Sequence, residues 1–107
     1  MSATLLCALA DIPDGGAKAF GDDTASSLFA VRRGDQVHVY QNRCPHAHTP
    51  LNWMPDRFLN RDRSQIICAT HGALFDIDTG YCTAGPCQGQ HLTAKTVTVQ
   101  DGQVWLS

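Results

Sequence analysis

The chain has 107 residues, 43% hydrophobic and 17% charged, with a formal charge of −2. That balance is ordinary for one soluble globular domain with a single modest core, and it excludes a disordered chain. No basic stripe is present to neutralise phosphates, which argues against nucleic acid as a partner.

The apolar run Ala3 to Ala10 has no basic flank, is too short to span a bilayer and reads as a first strand, centred on Leu5 to Leu9. Pro13-Asp14-Gly15-Gly16 predicts a turn, Ala17 to Phe20 a strand, Gly21-Asp22-Asp23 a turn and Ser27 to Arg33 a third strand. Gly34-Asp35 has hairpin-turn chemistry, and Gln36 to Asn42 alternates as its return strand. Residues 47 to 63 read as irregular, with a helical turn expected over Asp56 to Asn60. Short strands follow at Gln65 to Cys68, Leu74 to Ile77 and Tyr81 to Thr83, the last two joined by Asp78-Thr79-Gly80. Thr93 to Val99 and Val104 to Leu106 close the chain around Asp101-Gly102. Helical periodicity is nowhere sustained, so the expected class is all-β.

Two boxes break this pattern of strands and turns: Cys44-Pro45-His46 and Cys68-Ala69-Thr70-His71. Thiolate and imidazole together select zinc, iron–sulfur clusters and a few other transition-metal sites. A single residue separates Cys44 from His46, so the pair shares one ion only through a strained loop. Two metals of a binuclear centre are reached more easily, and a [2Fe–2S] cluster with two Cys on one iron and two His on the other meets that condition. A structural Cys2His2 zinc site is the competing reading, and the spacing disfavours it.

The boxes, together with Pro50-Leu51, Gly72, Phe75-Asp76, Thr79-Gly80 and Gly85-Pro86, resemble the Rieske [2Fe–2S] domain over roughly Leu5 to Leu106. The resemblance implies a Rieske-type antiparallel β-sandwich, one domain over residues 1–107, with a small cluster-binding subdomain at about 43–87 formed by two hairpin loops. It implies that Cys44 and Cys68 hold the inner iron, and that His46 and His71 hold the outer iron near the surface. His48 is expected at the rim rather than on iron. Gly72 is expected to allow close backbone approach, and Gly85-Pro86 to shield the cluster.

The positions where respiratory Rieske proteins carry a loop disulfide are Thr49 and Thr70 here. The positions of their two hydroxyl donors are Ala73 and Phe75. Without those donors the extra electron is less stabilised, which predicts a potential low in the class range of about −150 to +300 mV. Of the remaining Cys residues, Cys7, Cys82 and Cys87 are expected to be reduced rather than bridged. His38 and His91 read as ordinary strand or turn residues, Trp53 and Trp105 as packing residues. Asp56, Arg57, Arg61, Asp62 and Arg63 read as a solvated face.

The resemblance implies an electron-transfer component rather than an enzyme: a soluble, cytoplasmic one-electron carrier with no membrane or nucleic-acid partner. Its redox protein partners would be a reductase and a terminal acceptor such as an oxygenase. The chain ends at Ser107, so the mononuclear-iron domain of an oxygenase is not expected. A small Rieske subunit of a larger enzyme, such as a nitrite-reductase-type complex, is the alternative. A redox-sensing module is a third reading that no residue specifically supports.

Overall fold

The computed structural model describes residues 4–20, 28–43, 51, 58–60, 62–68, 72–85 and 88–106. Ten strands run through them: β1 Thr4–Ala8, β2 Ala17–Phe20, β3 Leu28–Arg33, β4 Gln36–Gln41 and β5 Gln65–Ile67. They continue with β6 Leu74–Asp76, β7 Cys82–Ala84, β8 Ala94–Lys95, β9 Val97–Gln100 and β10 Gln103–Leu106. A single 3-10 turn, Leu9–Asp11, is the one helical element among the described residues, and no helix there is long and apolar enough to cross a membrane.

The strands form three antiparallel sheets, ordered β1-β10-β9, β2-β3-β4-β8 and β5-β6-β7. Successive strand side chains point to opposite faces, and β3 uses both faces. Phe29 and Val31 join a core with Tyr40, Ile66, Phe75 and Cys82. Ala30, between them, joins a second core with Ile12, Val37, Val39 and Val104. The central sheet is thus covered on one face by β1-β10-β9 and on the other by β5-β6-β7. This double burial explains the unbroken apolar run of β3.

The turns follow their residues. Both central residues of Asp101-Gly102 have positive φ, 55° and 72°, as a type I′ turn requires. The register of β3 on β4, Leu28↔Gln41 to Arg33↔Gln36, closes through Gly34-Asp35. Arg32 secures this hairpin to the 3-10 turn, donating through Nη1 to the Ile12 carbonyl at 3.0 Å and to the Leu9 carbonyl at 3.4 Å.

Two expectations are corrected. Thr93 to Val99 is not one strand. It divides at Thr96 into β8, which pairs with β4, and β9, which pairs with β10 in the other sheet. The helical turn over Asp56 to Asn60 is not formed in its described part. Leu59 bridges Ile66, the Phe58 carbonyl accepts the Ile67 N–H at 2.9 Å, and Asn60 N–H donates to the Gln65 carbonyl at 3.0 Å. The Phe58 side chain is fully buried, stacked on Phe29 with centroids 4.3 Å apart and planes 5° from parallel.

The small sheet is fastened to the central one at its Ile77–Gly80 turn. The buried Tyr40 hydroxyl donates to the Ile77 carbonyl at 2.6 Å. Burial first, then the Asp78 and Asp76 carboxylates, push this phenol up to about 12. Asp78 Oδ1 lies 3.4 Å from His38 Nε2 and 3.9 Å from Arg33 Nη1. The 3.4 Å approach of His38 is not a hydrogen bond, and Nε2 is buried without a hydrogen-bond partner.

Candidate metal centre

Of the four expected ligands, Cys68 lies among the described residues; Cys44, His46 and His71 lie outside them, as do His48, Thr49 and Thr70. Cys68 follows β5 directly and is fully buried in the same core as Leu51, Ala73 and Cys82. A tight backbone ring fixes it. Cys68 N–H donates to the Ala73 carbonyl at 2.8 Å, and Gly72 N–H donates back to the Cys68 carbonyl at 2.8 Å. The ring closes the second box at its base, between Cys68 and Ala73.

Gly72 has φ +70°, and a Cβ built there meets nothing within 4 Å among the described residues. What favours glycine there among the described residues is the left-handed backbone. Close approach occurs at Gly85, where a Cβ would lie 2.7 Å from Ala73 Cα, with φ at +101°. The loop entering Gly85-Pro86 is therefore pressed onto the residue that closes the second box. Pro86 and Cys87 lie outside the described residues.

Ala73 and Phe75 are both buried, so neither position brings a hydroxyl to this region. The buried Cys82 thiol donates through Sγ to the Ala84 carbonyl at 3.2 Å. The Cys7 thiol is pushed up by burial first and by the Asp11 carboxylate second. His91 is exposed and meets Tyr81 edge-on at 5.0 Å. Asp62 and Arg63 are exposed as expected, and hydrogen bonds from the Ser64 hydroxyl and N–H hold the Asp62 carboxyl below its usual range.

Sequence reading missed Asn42. It is fully buried, and its Oδ1 accepts the Leu51 N–H at 2.8 Å. This bond joins the two ends of the segment that carries the first box. The signal available in the sequence was a polar residue directly after a strand and just before a Cys-x-His box.

The residues fit a [2Fe–2S] group. A buried thiol whose backbone is bonded to Gly72 and Ala73 is the kind of donor that such a cluster takes as thiolate, and the second box offers an imidazole three residues on.

Comparison with known proteins agrees. The Rieske [2Fe-2S] domain family matches residues 2–101. The 3-phenylpropionate/cinnamic acid dioxygenase ferredoxin subunit of Escherichia coli is 27% identical over 106 residues, covering 99% of this chain and 93% of that protein. The ferredoxin of carbazole 1,9a-dioxygenase from Nocardioides aromaticivorans superposes with a TM-score of 0.79 at 27% identity, over 100% of this chain and 98% of that one. A ferredoxin solved in complex with the oxygenase of carbazole 1,9a-dioxygenase matches with a TM-score of 0.76 at 27% identity, over 98% and 92%. The chain belongs to the Rieske [2Fe–2S] domain family, as an electron-transfer component of the ferredoxin kind whose cofactor is a [2Fe–2S] cluster.

Proposed function

We propose that the chain is a cytoplasmic one-electron shuttle that takes electrons from a reductase and delivers them to a terminal oxygenase. In this reading Cys44, His46, Cys68 and His71 hold the cluster, and residues 43–87 form the cluster-binding part of one domain spanning 1–107. The observation that carries it is the extent of the match. Nearly the whole chain aligns with nearly the whole of ferredoxin subunits that serve dioxygenases. One of the similar ferredoxins was solved bound to its oxygenase.

When bound, the cluster accepts and releases a single electron. The chain's own residues set the terms. Cys68 supplies a thiolate from within an apolar core, and Ala73 and Phe75 supply no hydroxyl donor that would stabilise added negative charge. The two imidazoles of the boxes add no negative charge to the site, which keeps the potential above that of an all-thiolate centre.

The test is purification of the tagged chain from its native cell without air. The shuttle is expected to elute alone with two irons per chain and, once reduced, to pass one electron to a generic acceptor such as cytochrome c. Stoichiometric co-elution with a larger enzyme contradicts it.

A further inference from the structure

We infer that Asn42 is the positioning residue of the first ligand segment: by accepting the Leu51 N–H, its side-chain carbonyl sets the geometry in which Cys44 and His46 meet the cluster. The inference rests on the reading of those two residues as ligands. Asn42 is the one buried polar or charged residue recorded among the described residues, at 0% exposure. An amide is costly to bury unless its hydrogen bonds are made, so an apolar side chain would be the easier occupant of that volume. What an apolar side chain lacks is an acceptor, and Asn42 Oδ1 accepts across a gap of nine residues, at 2.8 Å.

The two ends so joined are both rigid. On the entry side, Gln41 N–H donates to the Thr93 carbonyl and Arg43 N–H to the Gln41 carbonyl, each at 2.8 Å, so the backbone on both sides of Asn42 is held. On the return side, Leu51 is fully buried in the core that also contains Cys68 and Ala73, the two residues that close the second box. Leu51 lies outside every strand, so its N–H has no ladder partner, and the Asn42 amide takes the place of one. The Cys-x-His pair sits between these two fixed points, in the first half of the segment. With the ends joined during folding, the entropy of closing this segment is spent before the cluster arrives. A segment whose ends are already joined leaves less entropy to be lost on binding, and a bound group is held more tightly for it.

The test is a cycle on the loaded protein. Asn42→Ala removes the acceptor. Incorporation of the α-hydroxy acid of leucine at position 51 replaces the amide by an ester and removes the donor, leaving every side chain in place. Loss of visible absorbance under an iron chelator, without air, measures cluster release. The EPR line shape of the reduced protein reports ligand geometry directly, which general destabilisation of the sandwich would not alter.

Each single change is expected to speed release about tenfold or more and to broaden the EPR signal, and the combined change is expected to add little, because both break the same bond. Release at the wild-type rate, or effects that simply multiply in the double variant, overturns the inference. If Asn42→Ala does not accumulate as folded protein, the ester variant decides alone by the same criterion. Absence of a cluster spectrum from the wild-type protein would instead defeat the ligand reading, and this inference with it. A normal wild-type spectrum with unaffected variants defeats the Asn42 inference only.

Discussion

Gly85 and Ala73 show how a single backbone approach shapes the metal centre. With φ at +101° and a Cβ position 2.7 Å from Ala73 Cα, Gly85 tolerates no side chain. Gly85→Ala is expected to cost about 2–4 kcal/mol in urea unfolding, from left-handed strain and overpacking together, and to loosen cluster retention. Tyr40 gives a pH signature. Its phenol is pushed up to about 12, from an unfolded value of about 10, so the neutral form is favoured in the fold. The corresponding stability is complete below about pH 10 and is lost as pH rises through about 12. Urea midpoints measured across that window are expected to fall for the wild type and not for Tyr40→Phe. At neutral pH that variant should be about 1–3 kcal/mol less stable, because the Ile77 carbonyl loses its donor. At this scale the sequence is legible in part. Residue type announced that Gly72 and Gly85 mattered, but not that both take positive φ or that Gly85 presses on Ala73. Asn42 gave no signal beyond its position, because its role depends on a partner nine residues away.

At the scale of elements, turn chemistry made most strands readable. Gly34-Asp35 and Asp101-Gly102 stand where hairpins close, and β2 matches its expected span. The failures arose where pairing, not propensity, decides. Thr93 to Val99 is uniformly strand-like, but its halves find different partners, β4 and β10, so the chain changes sheets at Thr96. Phe58 to Asn60 pairs with β5 because Phe58 has a flat partner in Phe29, which local sequence does not display. Phe58→Ala should therefore cost about 3–5 kcal/mol in urea unfolding, and a much smaller effect would show that the stack is not structural.

For the whole molecule, three antiparallel layers place the small β5-β6-β7 sheet on one face of the central sheet and leave the other face to β1-β10-β9. The boxes were legible because metal ligation demands fixed residue types at fixed spacing. The layering was not, because the double role of β3 emerges only once both cores exist. The central claim is a mixed thiolate–imidazole cluster that carries one electron at low potential, without hydroxyl donors at Ala73 and Phe75. Its most direct test is a redox titration, without air, of protein carrying two irons per chain. The account predicts a single one-electron step in the lower part of the range of about −150 to +300 mV. A step near about −400 mV, the value of all-thiolate plant-type ferredoxins, or one well above zero, would contradict it.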